Sequence, residues 1–306
     1  MKHERLSAGK SSRSRYLACV LVVAACLAVA FAIFAPAGQT HDARLVHEEP
    51  SEFSTVVVFD YLGERCMNFE SMHADGRQTC FDLSDPDKMV FEYTRMMTSA
   101  LLVQPSPRNV LVIGLGGGTL PSALASIVPD AVIDSIEIDP AVVRVAKAYF
   151  GFEPGPRQRV FVEDGRQYVQ RAAAEGRRYD MIMLDAFDAD YIPPHLLTIE
   201  FFREIKSILT KNGLVVGNSF VGSDLYDRES ATYGEVFGPF FNLRARLDGN
   251  RVIIASAGSL PSPEVLKQNG EALAERLKPF GIDVDVAIAR FTRVEQWPDN
   301  AVPLTD

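Results

Sequence analysis

Residues 109–119 read NVLVIGLGGGT, an apolar run of strand length that opens into Gly114, Gly116, Gly117 and Gly118. An unbroken series of Val, Leu and Ile suits a strand covered by helices on both faces. Glycines directly after such a strand let the chain turn sharply and approach a ligand with no Cβ in the way. The pattern then repeats down the chain. VIDSIEI at 132–138, RVFVE at 159–163, YDMIMLD at 179–185 and GLVVGNS at 213–219 read as further strands. Helical stretches near 119–128, 140–150, 165–175 and 198–210 lie between them.

Strands alternating with helices predict a parallel sheet packed on both sides. Asp248-Gly249-Asn250, between FNLRARL and RVIIASA, predicts a turn and an antiparallel hairpin at the sheet edge. The expected fold is therefore α/β and Rossmann-like, with the layout of class I methyltransferases: a parallel sheet finished by an antiparallel hairpin. Upstream, STVVVFDY, ERCMNF and QTCFDL between Ser54 and Leu83 predict a small antiparallel β unit, followed by a helix from about 88 to 102.

Successive strand ends carry acids. Glu137 lies about 20 residues past the glycines, where a carboxylate can accept from both ribose hydroxyls. Asp139 follows it, and the next strand ends in Asp164-Gly165, where Asp164 can accept from an adenine amino group. Gly114, Gly116, Gly117, Gly118, Glu137, Asp139, Asp164 and Gly165 are thus the candidate nucleoside-binding residues. Asp139 and Asp164 equally suit helix N-caps. The turn G-L-G-G-G departs from G-x-G-x-x-G, which disfavours a dinucleotide.

The fourth strand ends at Asp185, followed by Asp188, Asp190, Tyr191 and the pair Pro193-Pro194 before His195. Ligands of open α/β sheets sit outside the carboxyl ends of the strands, so Asp185 stands at the reacting edge. Three acids within six positions repel one another unless a cation neutralises them, and an amine substrate would do so. A carboxylate base also suits an ammonium that must lose a proton before it attacks. The competing reading is a solvated acidic loop with Asp185 capping a turn.

The formal net charge of −9, with a basic first 15 residues, leaves an acidic body that argues against a nucleic-acid partner. Leu17 to Ala35 is uncharged, and its 19 residues make about 28 Å of helix, close to the thickness of a bilayer core. The basic flank predicts an inside N-terminus and a translocated body. The expected organisation is a basic segment at 1–15, a transmembrane anchor or cleaved signal peptide at 16–36, a linker at 37–52, the β unit at 53–86 and the nucleoside-binding domain at 87–306. The body is expected outside the cytoplasm, anchored or exported, although a cytoplasm-facing body remains an alternative. Cys66 and Cys80 flank a polar loop and read either as a disulfide or as two half-buried thiols. There is no CxxC and no Cys/His cluster, so no metal site is expected.

FEYTRMM at 91–97, VLVIGLGGGTLP at 110–121, IEIDP at 136–140, EDGRQYV at 163–169 and LDAFDADYIPPHLLT at 184–198 together resemble the polyamine aminopropyltransferases, the spermidine synthase family, and in particular its divergent bacterial branch. The resemblance spans about 54–260. It implies that Glu137 holds ribose and Asp164 adenine, that Asp185 is the catalytic aspartate, and that Asp188 grips the amine with Tyr93 lining the pocket. Asp190 and Tyr191 are further candidates for the amine side. The implied donor is decarboxylated S-adenosylmethionine, the implied acceptor a small cationic amine, and a homodimer is a candidate assembly. Two positions depart from the family. Gly117 replaces the aspartate of G-G-G-D-G-G that helps hold the donor's ammonium, and Arg95 replaces an acid after Tyr93-Thr94. G-L-G-G-G with E-I-D-P also looks like protein methyltransferases that use S-adenosylmethionine itself. An exported site would be cut off from either donor, which keeps a catalytically silent nucleoside-binding module as a further alternative.

Overall fold

The computed structural model describes residues 43–73, 77–187, 192–245 and 249–306. The hydrophobic segment at 16–36, with its anchor-or-signal reading, lies outside the described residues. Among the described residues no helix is long and apolar enough to cross a membrane.

Two sheets make up the body. The first is antiparallel, in the order β1 (Arg44–Glu49), β2 (Val56–Tyr61), β3 (Glu64–Phe69) and β4 (Thr79–Asp82). β1 corrects the expected linker: residues 44–49 pair with β2 along an edge. An edge strand with one side open to solvent tolerates the polar sequence RLVHEE, so polarity alone conceals it. β2 is buried on both faces, as its run VVVF suggests. Val56, Val58 and Met67 face α3 (Pro140–Tyr149), while Val57 and Phe59 pack with Cys66, Cys80 and Phe91. Leu62 and Gly63 both take positive φ, giving the two-residue turn whose twist matches its strands. Cys66 and Cys80 face each other across β3 and β4 and are joined, which decides for the disulfide over free thiols.

The second sheet contains five parallel strands, β5 (Asn109–Ile113), β6 (Val132–Glu137), β7 (Gln158–Val162), β8 (Tyr179–Leu184) and β9 (Leu209–Phe220). Antiparallel β11 (Asn250–Ser256), β10 (Phe240–Arg244) and β12 (Thr292–Val294) complete it, in the order β12-β10-β11-β9-β8-β5-β6-β7. The chain leaves β5 in one direction for β6 and in the other for β8, so the order reverses between β5 and β8, where such folds place their ligands. Side chains alternate between two cores. Val110, Val112, Met181, Met183 and Val216 pack with α1 (Glu92–Thr98), α2 (Thr119–Ile127) and α7 (Pro263–Leu277). Leu111, Ile113, Ile182 and Val215 pack with α4 (Gly165–Ala174), α5 (Ile199–Ile208) and α6 (Tyr226–Phe237). Each fully buried aliphatic or aromatic side chain contributes about 1.5–3 kcal/mol relative to exposure. α5 shows the sequence logic plainly. Thr198 caps it by accepting from the Phe201 N–H, and Phe201, Ile205 and Ile208 recur at four- and three-residue spacing on its buried face, with Ile199 and Phe202 beside them.

The helix expected over 88–102 is shorter. α1 ends at Thr98 and tightens into a 3-10 turn over Ser99–Leu102. A short helix α8 (Val284–Ile288) packs on α7.

Candidate active site

The carboxyl ends of β5, β6, β7 and β8 open onto a cavity of about 950 Å³, and the near side of the small sheet closes it with Arg77, Gln78 and Thr79. Gly114 begins the turn after β5 at φ +95°, and a Cβ there would strike the backbone of Asp185. Gly114, Leu115, Gly116 and Gly165 line the cavity. Gly117 and Gly118 are placed differently. A side chain on Gly117 would meet Thr79 and Phe150, and one on Gly118 would meet the Phe152 ring. These two glycines let the turn pack against its neighbours.

Glu137 stands at the tip of β6. One carboxylate oxygen accepts from the Leu115 N–H at 3.1 Å and the other from the Asp139 N–H at 3.0 Å. It thereby fixes the glycine turn as well as facing the cavity, and burial raises its pKa against the lowering effect of those N–H groups. Asp139 is a cap and a tie. Its oxygens accept from the Ala141 N–H at 2.8 Å and from Ser51 Oγ at 2.6 Å, joining α3 to the segment before β2. Asp164 caps α4 through the Gln167 N–H at 2.9 Å, and its second oxygen meets His195 Nε2 at 3.0 Å. A carboxylate can only accept, so His195 carries its proton on Nε2 toward Asp164.

Asp185 follows β8 and is half-buried, with its carboxylate at the cavity wall. Oδ1 accepts from Asn218 Nδ2 at 2.9 Å, and Oδ2 lies 3.4 Å from the Tyr93 hydroxyl, a long contact. Burial pushes its pKa up to about 6, opposed by those two hydrogen bonds. Tyr93 is held well above the usual tyrosine range by burial and by the neighbouring acid, so it stays a neutral donor. Arg95, the basic departure noted in the sequence, donates to the carbonyls of Met89 and Val90 and so braces the turn before α1. Asp188, Asp190 and Tyr191 lie outside the described residues.

Asn218 and Asn250 also line the cavity, and the sequence reading missed both. The available signal was a polar residue near the end of the otherwise apolar run GLVVGNS. Among the described residues, the charged lining is mostly acidic: Glu70, Glu137, Asp139, Glu163, Asp164 and Asp185 against Arg77, which Glu64 holds at 2.8 Å. Low-dielectric walls of one sign concentrate the opposite charge, here a cation.

The fold and its strand-tip cavity are those of the class I methyltransferase type. The spermine/spermidine synthase domain family matches residues 90–236. A polyamine aminopropyltransferase of Vibrio vulnificus is 44% identical over 265 residues, covering 86% of this chain and 88% of the relative. The chain belongs to the polyamine aminopropyltransferase (spermine/spermidine synthase) family. Among solved structures, the spermidine synthase from Thermotoga maritima shares the fold, with a TM-score of 0.60 at 20% identity over 81% of this chain and 84% of that one. Human methyltransferase-like protein 13, in complex with SAH, matches with a TM-score of 0.57 at 27% identity, over 69% of this chain and 97% of that one.

Proposed function

We propose that the protein moves an aminopropyl group from decarboxylated S-adenosylmethionine to a small amine, with Asp185 as the base. The observation that supports this most directly is Asp185 itself. It is an acid with its pKa raised to about 6, set at the strand-order reversal of an acid-lined cavity and steadied from behind by Asn218. An acid poised near neutrality can take a proton from an ammonium yet remain mostly ionised at pH 7. The ribose would sit on Glu137 and the adenine near Asp164, with Gly114 and Gly116 allowing close approach of the turn. The acceptor nitrogen gives its proton to Asp185 and attacks the carbon beside the sulfonium. The carbon–sulfur bond breaks, its electron pair stays on sulfur, and methylthioadenosine leaves. Asp188, Asp190 and Tyr191 are assigned to the amine side by the family pattern. The similarity to the Vibrio vulnificus relative supports aminopropyl transfer as the reaction class.

One observation favours a second reading. Gly117 stands where the family places an aspartate for the donor's ammonium, and a Cβ there would lie 2.8 Å from Thr79 Cγ2. The wall is closed to that acid, and a donor held by other means, intact S-adenosylmethionine giving up its methyl group, suits it better. Purified protein offered each labelled donor separates the readings. Methylthioadenosine released with an amine supports aminopropyl transfer, and S-adenosylhomocysteine supports methyl transfer. Calorimetric binding of nucleoside with neither product would leave only a silent binding module.

A further inference from the structure

Two buried asparagines stand in line behind Asp185. Asn218 lies near the end of β9, and Asn250 begins β11, one strand farther from the acid. Asn250 Nδ2 donates to Asn218 Oδ1 at 3.0 Å, and Asn218 Nδ2 donates to Asp185 Oδ1 at 2.9 Å. Both are nearly closed to solvent, at 3% and 6% exposure. An amide has a donor end and an acceptor end of almost the same shape, so its neighbours decide which way it points. An ionised carboxylate can only accept. Asn218 must therefore turn its amino group to Asp185, which leaves its oxygen for Asn250. Reversed, it would set one oxygen against another at hydrogen-bond distance, a repulsive contact unless Asp185 carried a proton.

We infer that Asn250 is a positioning residue for Asp185: by holding the Asn218 oxygen, it keeps a donor rather than an acceptor against the carboxylate. The catalytic meaning of this relay rests on the aminopropyl-transfer reading, although the relay itself does not. It divides the two oxygens of Asp185 between tasks. Oδ1 is held from behind, while among the described residues Oδ2 has the long Tyr93 contact alone and is the oxygen that takes the proton. The edge hairpin thus helps to align a base carried on a strand two places away. Other titratable or charged groups around the cavity are Tyr93 on α1, Glu137 at the end of β6 and Asp139 after it, Glu163 and Asp164 after β7, His195 before α5, and Glu70 and Arg77 between β3 and β4. Among the described residues, the hydrogen bonds to the Asp185 carboxylate come from Asn218 and Tyr93.

The test uses the full chain carrying Asn250→Leu, close in shape and uncharged, beside Asn218→Ala and the double variant. Difference infrared spectra, each protein against its own Asp185→Asn counterpart, follow protonation of Asp185 without requiring turnover. With Asn250→Leu the midpoint should rise by roughly half a unit to one unit, a three- to tenfold gain in proton affinity, the size of one lost neutral hydrogen bond. The acid limb of the kcat profile should move with it, while the KM for donor stays within about twofold, since nucleoside contacts are untouched. In the Asn218→Ala background, Asn250→Leu should add nothing. An unmoved midpoint, or a shift that persists undiminished without Asn218, overturns the relay. Asn250→Ala replaces the Leu variant if melting shows that it does not fold. A protein that releases no methylthioadenosine yet shows the shift would retain the relay and lose the proposed reaction.

Discussion

Gly114 and Asp185 touch through their backbones: a Cβ on the glycine would lie 2.2 Å from the Asp185 carbonyl oxygen. The nucleoside-side turn and the reacting acid are thus in register at the point where strand order reverses. Gly114→Ala should force them apart, and φ of +95° adds strain of about 1–3 kcal/mol. A displacement near 1 Å costs about 100-fold in rate, so kcat should fall at least that far, with a lower melting temperature. Near-normal kcat would mean that the two elements need not stay in contact.

The raised pKa of Asp185 fixes the pH response. A base must be ionised, so kcat/KM should decline as pH falls through about 6. Asp185→Asn should abolish turnover while leaving nucleoside affinity nearly unchanged. The sign for stability is the opposite of an ordinary salt-bridged acid. Because folding favours the protonated form, this group's contribution is present at low pH and is lost as pH rises from the unfolded value toward about 6. Melting curves of wild type and Asp185→Asn should therefore diverge in favour of the variant as pH rises from about 4 to about 6, and keep a constant gap above that. A gap that does not change with pH would contradict the shift.

Glu137 is asked to do two things, and its loss should show both. Glu137→Ala frees the Leu115 and Asp139 N–H groups and removes the proposed ribose acceptor. One charge-assisted hydrogen bond is worth about 1.5–3 kcal/mol, so calorimetry with methylthioadenosine should show a loss of about 10–150-fold. Unchanged affinity would remove Glu137 from the site.

The Cys66–Cys80 bridge, spanning a separation of 14, should contribute about 3 kcal/mol by restricting the unfolded chain. Reduction or Cys66→Ala/Cys80→Ala should lower the melting temperature. Because Cys80 follows Thr79, which packs on the glycine turn, nucleoside binding should weaken too. A bridge that affects stability and leaves binding untouched would show that β4 holds its place without it.

The parallel strands were legible because burial on both faces leaves continuous apolar runs such as VLVI and MIML. The acids at their tips were legible because an α/β sheet delivers successive strand ends to one edge. Three things were hidden for physical reasons. β1 is polar because it lies at an edge. β9 begins earlier than GLVVGNS, at Leu209, which pairs with Tyr179 ahead of an irregularity that ends at Leu214, and no apolar run marks the polar residues between them. Asn218 reaches Asp185, and Asn250 acts on it through Asn218, from 33 and 65 positions away in sequence, and no local spacing encodes a chain of contacts made across three strands. Asp139 shows the reverse case. Its strand-end position suggested a ligand contact, and its oxygens are already engaged by a helix end and a serine.

Thr79, Gln78 and Arg77 form one wall of the cavity from a part of the chain that precedes the stretch matched by the family. A minimal fragment cut at about residue 87, or confined to the stretch 90–236 that carries the family signature, would lack the surface against which the glycine turn rests. Attempts to graft this domain onto another protein, or to trim it for crystallisation, must therefore carry the leading strands along.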